Sequence, residues 1–274
     1  MQIKPLTRAL GAEIIDADVR RSEDIPAIKQ ALSDYGVIVI RQQSITPDEH
    51  LAFAQQFGDI NVNRFFKALD THPAIATVLK EPDQKYAIGE EWHTDHSYDQ
   101  IPALGSILHA LEVPEVGGDT VFSSMATAYD ALSERFKGML DGLYATHSSR
   151  HAFGYSTQDS EGVQSGRFAN MDKATQDARH PVVITHPLSG RKCIYVNPDF
   201  TLRIEGLTRH ESDGLLNMLY AHCKQPDFHC RISWQAGDIA FWDNRATWHK
   251  AINDYHGYRR YMHRVTVEGC ALEA

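Results

Sequence analysis

Cysteine is scarce in this chain, and the few present form no pattern. Cys193, Cys223, Cys230 and Cys270 contain no Cys-x-x-Cys pair, and no His-rich segment completes a zinc site with Cys223 and Cys230. They read as free thiols of a reducing compartment. No run approaches the ~18 apolar residues of a membrane span. Met1-Gln2-Ile3-Lys4-Pro5 also lacks the apolar stretch of a signal peptide. A cytoplasmic location with no membrane partner is therefore expected. Positive charge is not in excess: 27 Lys and Arg face 36 Asp and Glu, for a net charge of −9. With the charges interspersed and no basic stripe, nucleic acid is not an expected partner. A few local Arg residues can still bind a small anion, whatever the net charge. Internal repeats and low-complexity linkers are missing too. The 274 residues, 42% hydrophobic, are read as one domain, 1–274, with a sizeable core.

Helix and strand signals alternate at the start. Ser22-Glu23-Asp24 opens a helix whose first turn tolerates Pro26 and which Gly36 stops. Val37-Ile38-Val39-Ile40 then reads as a short buried strand. Thr46 with Glu49 three residues on is a capping box, starting a helix expected to reach Gly58. From about Ile75 strand signals dominate, at 75–79, 104–111, 120–122, 144–148, 182–186, 192–196, 228–234, 238–242 and 261–267. Helices are expected at 125–143 and, from a second capping box at Thr208 and Glu211, to about Cys223. Many short strands with few helices predict a β-rich α+β fold with a barrel or jelly-roll core. The polar segment 159–179, with no clear period, is read as a mobile loop over the site or a plain disordered insertion.

Two distant segments carry the chemistry. Trp92-His93-Thr94-Asp95 holds a His-x-Asp pair, and Trp242 to His249 supplies a distant His. On extended chain, residues two apart point to the same side, so His93 and Asp95 can reach one ion. With His249 they form the 2-His-1-carboxylate set that holds Fe(II) and leaves positions open. The pair alone is weak: 15 His and 36 acidic residues in 274 predict about two His-x-acid triplets by chance, and there is one. More weight comes from Arg260 and Arg264, four apart on the last predicted strand and hence on one face. Buried Arg is rare without an anion, and its planar fork suits a carboxylate. A metal that chelates a dicarboxylic acid is the expectation, with internal salt bridges as the plainer alternative.

Further segments join these: Gly117-Gly118-Asp119-Thr120, His180-Pro181-Val182-Val183, Thr185-His186-Pro187, Gly190, Arg203-Ile204 and Arg259 to Arg264. In order and spacing, from about Leu10 to Gly269, the chain resembles the taurine dioxygenase / 2,4-dichlorophenoxyacetate dioxygenase family of Fe(II)- and 2-oxoglutarate-dependent enzymes. The resemblance implies a double-stranded β-helix (jelly-roll) core with flanking and inserted helices. It implies His93, Asp95 and His249 as iron ligands, and Arg260 and Thr120 on the distal carboxylate of 2-oxoglutarate. Arg264 would sit beside the metal-bound end or the substrate, and Asp243 and Asn244 would brace the turn before His249. The implied reaction consumes O2, decarboxylates 2-oxoglutarate to succinate and hydroxylates a small-to-medium organic anion. A homodimer or homotetramer is the implied assembly.

The substrate end departs from the taurine enzyme. Asn63 or Arg64 falls where that enzyme has a sulfonate-binding His, and Gly89 where it has an Asn. His96, directly after Asp95, is bulkier than expected there. These departures argue against taurine itself and for a carboxylate or sulfonate with some apolar body. Phe153 and Phe200 match pocket-lining aromatics of the family, with core packing as the plain alternative. Arg64 and Lys67 offer anion contacts or simply a solvated loop. Two other classes compete: a zinc-dependent hydrolase on a jelly-roll scaffold, which needs no Arg260/Arg264 pair, and a non-catalytic jelly-roll binding module, which needs no triad.

Overall fold

The apolar run 37–40 is buried at every position because both of its faces are covered, one by helices and one by a second sheet. In the computed structural model, residues 1–153, 166–168 and 170–274 are described. The chain runs through β1 (Gln2–Pro5), β2 (Ala12–Ile15), α1 (Ile25–Tyr35), β3 (Val37–Ile40), α2 (Pro47–Gln55), β4 (Ile60–Asn61), β5 (Ala68–Leu69) and β6 (His72–Lys80). It continues with β7 (Gly105–Glu112), β8 (Thr120–Ser124), α3 (Met125–Asp130), α4 (Glu134–Leu140), β9 (Tyr144–Ser148), α5 (Arg150–Phe153), β10 (Asp177–Pro181), β11 (Val183–Thr185) and β12 (Lys192–Ile194). It ends with β13 (Thr201–Ile204), α6 (Arg209–Cys223), β14 (His229–Ile232), β15 (Ile239–Asp243), β16 (Thr247–Ala251) and β17 (Arg260–Val267).

The main sheet has the order β1-β2-β3-β15-β7-β17-β6-β5, with β4 also pairing β17. Facing it is the smaller sheet β14-β8-β16. Period-two alternation decides what lies between them. Val37, Val39, Leu108, Ala110, Ala240, Trp242 and Met262 of the main sheet meet Phe122, Cys230 and Ile232 of the smaller one. The alternate residues Ile38, Ile40, Ile107, Phe241, Val265 and Val267 pack outward under α1 and α2. This is the expected jelly-roll core with helices on its flank. Among the described residues no helix is long and apolar enough to cross a membrane.

Both capping boxes form, at Thr46/Glu49 and Thr208/Glu211. Four expectations need correction. The helix from Thr46 stops at Gln55, short of Gly58. The helix expected over 125–143 is two, because Ser133 starts a new one by accepting from Phe136 N. His249 lies inside β16, a strand absent from the expected set, where the segment after 238–242 reads as unpaired chain. Of the segment 159–179, residues 159–165 and 169 lie outside the described residues, and its end is no loop: Asp177–Pro181 is β10, paired with β9.

Candidate metal and dicarboxylate site

The site sits between the two sheets, and the backbone brings its halves together. His93 N donates to His249 O at 3.1 Å and His249 N to His93 O at 2.8 Å, so the two imidazoles are cross-strand neighbours. Their ring centroids lie 4.2 Å apart. Between the two ligand positions, Thr94 donates its hydroxyl to the carbonyl of Asn244 and ties the first segment to the turn before β16. That turn is braced by Asp243, which accepts from Arg245 Nη2 at 2.7 Å and from His186 Nε2 at 3.0 Å.

His93, Asp95 and His249 present ligand atoms within 4.8 Å of one another, all buried. Asp95 Oδ1 is 3.6 Å from His93 Nε2, and Oδ2 is 3.7 Å from His249 Nε2. His93 Nδ1 donates to the carbonyl of Glu91 at 2.8 Å, which leaves Nε2 as a free lone pair pointing at the cluster. Ser106 Oγ and Arg264 Nη2 both donate to Asp95 Oδ2, at 3.2 and 2.9 Å, leaving Oδ1 for an ion. Burial opposes charge on Asp95, but Arg264 and the two His outweigh it and hold the carboxyl well below its usual range. Burial also opposes charge on His93, yet Asp95 raises its pKa; burial and the neighbouring His93 push His249 well down. An ionised carboxylate with two convergent imidazole nitrogens suits a divalent transition metal.

One cavity adjoins this cluster, and its wall includes Phe66, Gly89, His93, Thr120, Trp242, His249, Arg260 and Arg264. Arg260 is 4% exposed. Its Nε donates to Gly118 O at 3.1 Å, and no carboxylate among the described residues lies within ion-pair distance. Burial pulls its pKa below the usual guanidinium value. A buried cation without an acid is a place for an anion. The motif Gly117-Gly118-Asp119-Thr120 builds the cradle: Gly118, at φ 70°, presents its carbonyl to Arg260 and leads directly into β8. Thr120 Oγ1 accepts from Trp234 Nε1 at 3.0 Å, so its hydroxyl proton is free to donate elsewhere.

A buried cluster of aromatic rings lies next to His93, and Phe66 reaches the cavity wall. Phe65 and Phe153 stack at 4.4 Å, Phe200 meets Tyr98 at 4.9 Å, and Phe200 lies edge-on to His93 at 6.4 Å. Phe66 lies under the Arg264 guanidinium at 5.4 Å. Phe153 and Phe200 thus join one cluster beside the ligands.

Asn63, Arg64 and His96 are not brought to the cavity wall. Asn63 Oδ1 accepts from Phe65 N and Phe66 N and caps its own turn. Arg64 forks onto Asp99 at 2.8 and 3.3 Å, and His96 Nδ1 bonds the same carboxylate at 3.0 Å. Gly89 does line the cavity, at φ 78°, and a Cβ there would lie 3.1 Å from His93 Cε1. Sequence reasoning missed Ser106, Phe66 and Trp242. The inward alternation of β7 was a usable signal for Ser106; nothing local marked Phe66.

Residues 2–266 match the family model described as taurine catabolism dioxygenase TauD, TfdA family. An alkylsulfatase from Acinetobacter baylyi is 34% identical over 275 residues, covering 98% of this chain and 85% of the relative. An alpha-ketoglutarate-dependent 2,4-dichlorophenoxyacetate dioxygenase from a Burkholderia species is 32% identical over 262 residues, covering 90% and 86%. Among solved structures, AAD-2 in complex with Mn(II) and N-oxalylglycine superposes with a TM-score of 0.81 at 26% identity, covering 100% of this chain and 99% of that one.

Proposed function

This chain belongs to the taurine catabolism dioxygenase TauD, TfdA family and is an Fe(II)- and 2-oxoglutarate-dependent dioxygenase, and from that premise we propose that it hydroxylates an organic anion with an apolar body. His93, Asp95 and His249 would hold the iron, and Arg260 with Thr120 the distal carboxylate of 2-oxoglutarate. The carrying observation is that one cavity joins a convergent His-Asp-His cluster to a buried guanidinium with no acid partner among the described residues. With 2-oxoglutarate and O2, the bound iron supplies the oxidation: the co-substrate becomes succinate and CO2, and one oxygen atom enters a substrate C–H bond.

The protein's own part is to bind, orient and exclude water. His93 Nδ1–H on Glu91 O fixes the tautomer that offers Nε2. Arg264 and Ser106 hold Asp95 ionised and turned. Arg264 Nε is buried without a partner among the described residues, and its guanidinium lies over Phe66, so this is the cation that a substrate anion would meet. Phe65, Phe153 and Phe200, stacked together next to His93, would supply a dry surface for the apolar body. The substrate class is a carboxylate, sulfonate or sulfate ester. A hydroxyl placed on the carbon bearing the ester or ether oxygen, or the sulfonate, gives an unstable product that collapses to a carbonyl compound and frees the group.

The test is an anaerobic titration with Fe(II) and 2-oxoglutarate, watched for the metal-to-ligand charge-transfer band, then a panel of organic acids, sulfonates and sulfate esters. A substrate should shift the band and yield succinate only when O2 is admitted. His93→Ala or Asp95→Ala that kept full oxygen-dependent turnover would sink the ligand assignment. Zinc-supported turnover without O2 would replace the whole reading by a hydrolase.

A further inference from the structure

Asp95 is followed by a residue in an unusual conformation. His96 has φ 61°, a left-handed backbone that a non-glycine residue adopts only when its surroundings hold it there. Three contacts do so. Asp99 N donates to His96 O at 3.0 Å and closes the turn. His96 Nδ1 donates to Asp99 Oδ2 at 3.0 Å. From a separate segment, Arg64 clamps both oxygens of Asp99. The Asp99 carbonyl in turn accepts from His180 Nε2 at 2.9 Å.

Arg64 is itself anchored. Its carbonyl accepts from Asn170 Nδ2 at 3.0 Å, and Asn63 Oδ1 accepts from the two amides that follow Arg64, Phe65 N and Phe66 N. Burial works against an ionised Asp99, but His96 and Arg64 outweigh it and keep the carboxyl below its usual range. A guanidinium engaged through both terminal nitrogens is not offered to a substrate anion. Two residues on, Phe66 touches the Arg264 guanidinium that grips Asp95 from its other side.

We propose that Arg64, Asp99 and His96 form a positioning clamp for Asp95: they hold the strained turn after it and so aim its carboxylate at the metal, and they do not contact substrate. This rests on the reading of His93, Asp95 and His249 as iron ligands. Neither an ordinary surface ion pair nor a substrate contact would need His96 to be held at positive φ beside a ligand.

The experiment uses the purified full chain, loaded anaerobically with Fe(II) and 2-oxoglutarate, and needs no knowledge of the prime substrate. Asp99→Asn, Arg64→Gln and Arg64→Lys are compared with the wild type in Fe(II) dissociation constant, 2-oxoglutarate dissociation constant, and position of the charge-transfer band. Asp99→Asn and Arg64→Gln should weaken Fe(II) binding by roughly tenfold and move the band, as loss of groups that orient a metal ligand does. Affinity for 2-oxoglutarate in the Fe(II)-saturated protein should stay within about twofold, because Arg260 is untouched. Arg64→Lys, which keeps the charge and one hydrogen bond, should recover part of the loss. The proposal is overturned if Fe(II) affinity in Asp99→Asn and Arg64→Gln stays within about twofold of wild type and the band does not move. It is equally overturned if the variants lose Fe(II) and 2-oxoglutarate affinity together with melting temperature, which marks general unfolding. If Arg64→Gln does not fold, Asp99→Asn and Arg64→Lys decide on the same readouts. A wild type without any band defeats the iron-site reading and is thereby distinguished from failure of the clamp.

Discussion

Arg260→Met has opposite effects on the free and the 2-oxoglutarate-bound protein. In the free protein Arg260 is a buried cation without an acid partner among the described residues, and burial already lowers its pKa. Methionine of similar length removes that charge, so the melting temperature without 2-oxoglutarate should stay equal or rise. In the bound protein, on the proposed reading, the guanidinium would pair with a buried carboxylate, and removing one partner of such a pair costs about 3–5 kcal/mol because the other is left unpaired. Taking about 3 kcal/mol, the dissociation constant of 2-oxoglutarate rises by a factor on the order of 10². At a concentration 100-fold above the wild-type constant, binding stabilises the wild type by about 2.7 kcal/mol, which corresponds to roughly 5 °C for a chain of this size. At that concentration the variant gains under about 1 °C. The assay is a pair of thermal melts with metal present, without and with 2-oxoglutarate, read beside a calorimetric titration. A variant that still gains about 5 °C, or binds 2-oxoglutarate within about threefold of wild type, would refute the anchor assignment.

Trp234→Phe removes the N–H that Thr120 Oγ1 accepts, so the hydroxyl loses its preset direction; 2-oxoglutarate affinity should fall by about 0.5–1.5 kcal/mol in a titration, with Fe(II) affinity unchanged. Gly89→Ala places a Cβ 3.1 Å from His93 Cε1 at a φ of 78°, so it should cost about 1 kcal/mol in urea unfolding and lower kcat more than it raises the 2-oxoglutarate KM. Burial, with His109 and His263 nearby, pushes the pKa of His50 down to about 3, whereas the unfolded chain titrates near 6.5. The unfolded chain therefore takes up the proton first. Stability is full above pH 6.5 and falls towards pH 3, by about 2 kcal/mol at pH 5 from His50 alone. His263, pushed down to about 4, adds a loss of the same sign. Urea midpoints between pH 7 and 4.5 should show a shallower slope for His50→Gln than for wild type, and an unchanged slope would count against this origin.

What could be read from the chain follows the range of the forces involved. A strand's period of two is local, so Arg260 and Arg264 were assignable to one face before any fold was known, and both are buried on β17. The capping boxes at Thr46 and Thr208 are also local, and both form. β16 was missed because the Asp243 turn closes so tightly that His249 reads as the residue after a strand, although Ala246 N bonds Asp243 O to begin the return. Arg64 reads as an anion contact in the sequence because its partner, Asp99, lies 35 residues away and no sequence period connects them. Asn63, by contrast, carried a readable signal: an Asn whose side chain can cap the amides two and three residues on tends to turn back on its own backbone. The same division runs through the site. The ligand cluster must satisfy one small ion, which restricts residue type and leaves a trace in the motif. The wall proposed for the substrate takes rings from positions 65, 66, 98, 153 and 200, which share no spacing and meet only after the sheets pack. Such a wall constrains volume and polarity but not residue order. Substrate choice is therefore the property that the linear chain encodes most weakly, and it should also change most readily by substitution at those five rings while the metal and dicarboxylate end stays intact.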